Sequence, residues 1–509
     1  MRSVALQRKA KGKNNVQTIP HLTEMKRYLR AMLLTALSPA IMVSAATSDF
    51  QTLMQAATNA SLPLVNITVD TANIALGSYT SATVEIYDPA MLTDTANTYL
   101  KYNCEVKYRG ETASTYDKKT FGMKLYDADG ADLDVSLLGN RAENSWILDA
   151  MAIDRTRMRN RLCFDLWNDI DQLPYATDYS NRNGTAGCFV ELFLNGTYHG
   201  LYCLSDKVDR KLLGLKKIKE GSDGSITIRG VLYKGSEWTD ATHMTGYDAT
   251  AATDGTEWNG WELQYPDDYP CADAWQPLID VIDNVTSTSF ADDFTSQFYL
   301  DNVADHALFM LATNYTTCPF NNTFLSIVNV NKSTQAVITP WDMDRSFGAG
   351  AKGTYDESYS EIEDLTDDEF YGTLYTDNVG GLQDAVIANW EEQSLTYYLP
   401  SNINARIDAY ADAFTASGAW QREYEKWNGN PVALESDITT ETDYVKNWYA
   451  GNYENVFVIL GLKEASGISA VQNNQATTTK EYTIDGRALQ NGEQYRGIVV
   501  SNGKKTIKQ

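Results

Sequence analysis

Positive charge is what this sequence has least of. Its 509 residues carry 42 Lys and Arg against 67 Asp and Glu, a formal net charge of −25. Eight of those basic residues and one acid, Glu24, fall in the first 45 positions, so the remainder holds 34 basic and 66 acidic residues, a net of −32. Such a surface repels phosphate backbones and anionic lipid, which argues against nucleic acid as a partner. Any anionic ligand needs a local basic pocket. Cysteine is sparse too: the six residues contain no CxxC pair and no zinc-ligand spacing. They permit disulfides but read first as small buried hydrophobes, with Cys104, Cys188 and Cys203 in strand-like runs and Cys163 in a helical one. After residue 45 no apolar run is long enough to span a bilayer, so no transmembrane anchor is expected in the mature chain. Heptads and internal repeats are absent.

What is present begins with a leader. From Met25, the basic residues Lys26, Arg27 and Arg30 precede an apolar run from Ala31 to Val43, followed by the small residues Ser44, Ala45 and Ala46. This is the order of a secretory signal peptide, and the run is short for a membrane span. A buried N-terminal helix is the plainer alternative. Cleavage is expected after Ala45 or Ala46, residues 1–24 read as an upstream extension, and no Cys follows the run to take a lipid. The expected location is exported: secreted, or at the cell surface or periplasm.

The body predicts an α+β fold, strand-rich in its first half and helical in its second. Residues 64–69 and 82–87 are β-rich, 102–108 alternate apolar and polar, and 119–126 form a further strand. Residues 156–170 carry apolar positions at helical spacing. Asn195-Gly196 between two apolar runs predicts a type I′ hairpin. Beyond residue 275 the pattern is largely helical, with strands near 323–330 and 335–340. Residues 466–481 read as a linker and 482–509 as a small strand-rich tail.

Five blocks then recur in a recognisable order: YRGETASTYDKKTFGMKL at 108–125; LLG, SWIL and RNRL within 137–162; VELFLNGTYHGLYCLSDKVDR at 190–210; WELQYP at 261–266; and PWDMDRSFG at 340–348. Together they resemble the CotH kinase family, the spore coat protein H-like atypical kinases, over roughly 60–465. The resemblance implies a two-lobed atypical protein-kinase-like fold that uses ATP with Mg²⁺ or Mn²⁺ on Ser/Thr hydroxyls of a protein substrate. The tail is similar to the short sorting domains of Bacteroidetes secreted proteins.

Phosphoryl transfer needs cations on the phosphates, oxygen ligands for a metal and a base near the acceptor hydroxyl. Asp342 and Asp344 lie two apart after an apolar run, and on an extended segment both carboxylates would share a face toward one hard cation. The plainer alternative is a turn acid paired with Arg345. The resemblance adds an Asn ligand, for which Asn322 sits better than Asn321. Arg109, Lys118, Lys119 and Lys124 bracket a Ser/Thr/Gly loop and form the candidate nucleotide pocket. On a strand, Lys124 and Thr120 share one face and Lys119 the opposite one. Family position favours Lys119 as the catalytic lysine, with the metal-holding Asp344 as the other catalytic candidate. Arg157 and Arg159 are further candidates for the pocket or for salt bridges on a helix surface, and Glu191 is either a partner for a lysine or an exposed strand residue.

The base is where the pattern departs. The family places an Asp about five residues before the Asn ligand, and here Thr316 or Thr317 stands there; a threonine hydroxyl is no useful base near neutral pH. Asp301 and Asp305 lie upstream as displaced substitutes. Two readings therefore compete: a metal-dependent protein kinase, and a catalytically weak pseudokinase acting as a cell-surface binding or structural module. A carbohydrate-active protein, suggested only by 31 Tyr and 11 Trp, is a third.

Overall fold

The computed structural model describes residues 47–91, 98–176, 181–315 and 320–463, and the backbone of three strands in the tail. The leader, Thr316, Thr317 and the linker lie outside the described residues. Among those described, no helix is long and apolar enough to cross a membrane.

Helix α1 (Asp49–Ala56) leads into seven strands: β1 (Leu64–Thr68), β2 (Thr80–Tyr87), β3 (Tyr99–Arg109), β4 (Thr120–Tyr126), β5 (Ser145–Asp149), β6 (Gly187–Leu194) and β7 (Thr197–Ser205). They form a closed barrel in the order β1-β2-β3-β4-β5-β7-β6. Six of the seven contacts are antiparallel, and β1 closes the ring against β6 in parallel, Val65 opposite Leu192. Because successive side chains point to opposite faces, Val84, Ile86, Cys104, Val106, Phe121, Met123, Leu125, Trp146, Leu148, Tyr202 and Leu204 fill the interior. The β6–β7 turn has Asn195 at φ 51° and Gly196 at φ 80°, the two positive-φ positions that the sequence required.

Helix α2 (Arg159–Ile170) follows β5 and precedes β6 in the chain. A second sheet then forms from β8 (Val231–Gly235), β9 (Glu257–Trp258), β10 (Trp261–Tyr265), β11 (Thr323–Ile327) and β12 (Ala336–Pro340), antiparallel throughout in the order β9-β10-β8-β11-β12. Between β10 and β11 run α3 (Ala272–Val285), α4 (Phe290–Gln297) and α5 (Leu300–Thr313). After β12 come α6 (Leu382–Gln393), α7 (Pro400–Ala416), α8 (Ala419–Trp427) and α9 (Ile438–Ile459). Every residue of α5 from Asn302 to Thr313 is buried, as befits a helix apolar on most sides, and it anchors the larger core shared with α2 and the second sheet.

The α+β class is as expected, but the change of pattern at residue 275 does not divide the strands. β11 returns to pair with β8 and β12 adds to β11, so one sheet draws from both sides of that point. Pairing partners are a tertiary choice that local periodicity does not encode. The tail holds strands 482–483, 497–501 and 504–508 in one antiparallel sheet.

All five described cysteines are free thiols. Burial raises the thiol pKa of Cys104 to about 12, and that of Cys163 likewise to about 12, with Ser346 opposing the shift at Cys163. Cys104 and Cys163 are thus buried hydrophobes, as their setting in the sequence indicated.

Candidate functional site

The barrel's outer face carries a lattice of charge. On β3, Lys107 and Arg109 alternate with the inward Val106 and Tyr108, so both point outward. Arg109 pairs with Thr120 on β4, whose hydroxyl lies 3.4 Å from Asp149 on β5. Lys107 pairs with Gly122, and Glu105 with Lys124. The ammonium groups of Lys107 and Lys124 sit 4.8 and 5.0 Å from the centre of the Tyr79 ring. Gly122 leaves the space between them open, with Lys107, Tyr79 and Arg109 as its nearest neighbours. Lys207, two residues past β7, completes the group.

Burial, and then mutual repulsion with Arg109 and Lys124, lowers the pKa of Lys107. Lys207 is lowered by burial, with Asp209 opposing and Lys124 and Arg109 adding to the shift. None of Lys107, Arg109, Lys124 and Lys207 makes an ion pair or a side-chain hydrogen bond among the described residues. In an acidic protein that is a positive cluster held without an ion pair, offset by Asp149 and Asp342 at Arg109 and by Asp209 at Lys207.

The facing wall is the open end of the β11–β12 hairpin. Thr323 pairs with Pro340, so the residues just outside that pair, Asn322 and Trp341, stand side by side. The Tyr315 hydroxyl lies 2.6 Å from the Trp341 carbonyl and 3.2 Å from that of Asn322, binding the two segments together. Gly235 is pressed so closely on this turn that a Cβ there would fall 1.8 Å from the Phe320 carbonyl oxygen. The Arg109 guanidinium stacks over Trp341 at 5.7 Å, joining this wall to the barrel.

Asn322 and Asp342 both adopt left-handed backbone, φ 57° and 59°, a conformation that Asn and Asp tolerate best among non-glycine residues and that gathers at functional sites. It also corrects one expectation. The strand ends at Pro340, and a left-handed Asp342 cannot share a face with Asp344 by strand alternation. A turn joins them instead, and the Asp342 charge acts on Asp344 across it. The protein walling the cleft, and then the Asp149 carboxylate, raise the Asp342 pKa, opposed by Lys234, Arg109 and Arg345. Asp344 is raised further, by burial, then by Asp342 and Asp149. Neither carboxylate is ion-paired to Arg345 or hydrogen-bonded through its side chain among the described residues, and the Asn322 amide is equally unengaged.

Those three oxygen donors suit a hard divalent cation. Among the described residues no three His, Cys, Asp or Glu side chains gather closely enough to hold a metal, so an ion here would rest on two carboxylates, an amide oxygen and its own ligands.

Asn160 ties the walls together. Its amide donates to Asp149 Oδ2 at 2.9 Å, and its Oδ1 accepts the Met343 N–H, between the two aspartates, at 3.2 Å. Arg159 is buried rather than on a helix surface; it pairs with Asp154 at 2.6 Å and donates to the Ser346 carbonyl, pinning the segment after Asp344.

Arg109 and Lys124 therefore lie in the cluster the sequence pointed to, but Lys118 does not. Its three protons are spent on the Ala150 carbonyl (2.8 Å), the Leu201 carbonyl (2.6 Å) and Glu423 (2.7 Å), with no exposed surface. Lys118 is a scaffold residue, because a buried ammonium must satisfy every donor locally. Lys119 gives two protons to the carbonyls of Ser114 and Tyr116, fixing the loop before β4, and its ammonium lies 5.5 Å from the Tyr108 ring, away from Lys124. Arg157 is buried beside Lys118 on the same Glu423. Glu191 is buried, not exposed, and takes a two-pronged bond from Arg422. Asp305 accepts from Asn389 and Gln393 of α6, and Asp301 is exposed on the first turn of α5.

The sequence reading missed Lys107, Lys207, Lys234, Asp149 and Asn160. The first was legible: Lys107 is two residues before Arg109 on an alternating strand.

A family model described as CotH kinase protein matches residues 106–456, which contain every residue of this site except Tyr79 and Glu105. No curated protein matches the chain.

Proposed function

Because the chain belongs to the CotH kinase family, we propose that it transfers the terminal phosphate of ATP to Ser or Thr hydroxyls of a protein, with Mg²⁺ or Mn²⁺ held by Asp342, Asp344 and the Asn322 amide oxygen. One observation carries this reading: among the described residues Lys107, Arg109, Lys124 and Lys207 form no ion pair, Asp342 and Asp344 accept no side-chain hydrogen bond, and Arg109, stacked on Trp341, links the two groups. A bound divalent ion would supply charge neutralisation between those carboxylates and the phosphate oxygens. Arg109, with its planar fork and its stack on Trp341, would orient a phosphate; Lys107, Lys124 and Lys207 would balance the remaining charge. Asn160 holds the aspartate turn in register with the barrel. In this reading the barrel is one lobe, and the second sheet with its helices is the other.

Thr316 and Thr317, standing where the family has an acid, favour a second reading: the same pocket in a pseudokinase that binds nucleotide at the cell surface. Export rests on the leader, and mass spectrometry of protein from the native envelope or medium tests it; an intact Met25 terminus would refute cleavage. The site itself is tested by calorimetry. ATP should bind with Mn²⁺ and fail to bind in EDTA, and Asp344→Ala should abolish the metal-dependent part. Tight binding in EDTA, unaffected by Asp344→Ala, would end the kinase-like reading.

A further inference from the structure

The cleft contains a third carboxylate that no spacing in the sequence singled out. Asp149 ends β5 in the same row as Arg109 and Thr120, on the outer face of the barrel. It is held from three sides: Oδ1 accepts the Met151 N–H at 3.0 Å and approaches the Thr120 hydroxyl at 3.4 Å, and Oδ2 accepts the Asn160 amide at 2.9 Å. A carboxylate offers about four lone-pair positions, so one on Oδ2 stays open. Asn160 fixes that oxygen relative to Met343, between Asp342 and Asp344. Asp149 is also the charge that acts most strongly on Arg109 and on Asp342. It is half-buried, so the open position remains within reach of a ligand.

We infer that Asp149 is the catalytic base of this site, taking the place of the acid that is missing at Thr316 and Thr317. The inference rests on the kinase reading above. In the step it serves, the acceptor hydroxyl oxygen forms a new bond to the γ-phosphorus. The bond from that phosphorus to the bridging oxygen breaks, and its electron pair leaves on ADP. The hydroxyl proton passes to Asp149 Oδ2. The role of Asn160 is positional: it immobilises the accepting oxygen and ties it to the turn that carries Asp342 and Asp344.

The test compares wild type, Asp149→Asn and Asp149→Ala in the full chain. Calorimetry with Mn²⁺ and ATP is read beside transfer of labelled γ-phosphate to the chain itself and to water. Nucleotide binding in Asp149→Asn should stay within about threefold of wild type, while transfer falls by a factor on the order of 10²–10⁴. Added formate should restore part of the transfer in Asp149→Ala, a gain that a merely structural role would not produce. Unchanged transfer in Asp149→Asn would overturn the assignment. So would loss of binding in that variant, which would make Asp149 a support of the nucleotide site, or a wild type that binds Mn²⁺–ATP without transferring phosphate. A wild type that binds no metal-dependent nucleotide at all would instead bring down the kinase reading, and this inference with it.

Discussion

Lys118 and Lys124 stand six residues apart in one sequence block, yet the fold uses them in opposite ways. Lys118 shares Glu423 with Arg157, at 2.7 and 2.8 Å, and none of the three side chains is exposed. The second Glu423 oxygen takes the Leu201 N–H. Burial lowers the Lys118 pKa while Glu423 resists that shift, and Glu423 is held below the ordinary carboxylate range against its own burial by Lys118 and Arg157. Lys124, with Lys107, Arg109 and Lys207, has no such partner among the described residues, and these half-buried cations repel one another. A buried cation that is fully satisfied belongs to the scaffold; a cluster of cations left unsatisfied is reserved for a ligand.

The sharpest way to break that contrast is Glu423→Ala. It leaves two cations buried without a counter-charge and should cost about 3–5 kcal/mol in urea unfolding. A loss below about 1 kcal/mol would mean that the interior group is not structural. Next in size is Arg109→Ala, expected to weaken metal-dependent ATP binding by about 1.5–3 kcal/mol, roughly 10–150-fold, with no loss of melting temperature. A fall in melting temperature comparable to that of Glu423→Ala would erase the distinction between the two regions.

His306 sharpens the comparison with a third strategy, a buried base that carries no charge. It lies wholly buried, Nδ1 2.8 Å from the Tyr371 hydroxyl, with Nε2 unpartnered among the described residues. Burial lowers its pKa to about 3. Between that value and the ordinary one near 6.5, only the unfolded chain takes up the proton. The His306 contribution is thus complete above pH 6.5 and is lost as pH falls through the window, by about 1.4 kcal/mol per pH unit. Denaturation of wild type and His306→Leu at pH 7, 6 and 5 isolates this slope from that of Asp305, whose pKa of about 6 acts in the opposite sense. A stability difference between the two that does not change with pH would refute it. Smallest is Lys124→Ala: nucleotide binding should weaken by less than about 1 kcal/mol, an effect that fades at high salt, because a part-exposed lysine is screened.

Elements with a local signature were legible in the sequence. The Asn195-Gly196 turn, the alternation in β3 and the strand pair β11–β12 all carry their own chemistry. So did half of the cation cluster, once Arg109 and Lys124 were placed on outward strand positions. What remained hidden depended on distant partners. Lys118 looks like any cation beside a polar loop until Glu423 arrives from the far end of the chain, and Asp149 ends the short apolar run WIL with nothing local to mark it. The parallel closure of β1 on β6 has no signature in either strand. Asp342 eluded the alternation rule because its left-handed turn resets the phase of the chain.

The place of Glu423 also sets a clock. Arg157 waits for a partner 266 residues further along, and the Leu201 amide for one 222 residues further. At a synthesis rate of about 5–20 residues per second, an interval on the order of tens of seconds separates the making of the barrel strands from the helix that neutralises them. Throughout that interval the N-terminal half holds unmatched interior charge and cannot settle into its final state. Were the leader to direct export, as proposed, a translocation machine would meet a chain whose barrel locks only after α8 has emerged.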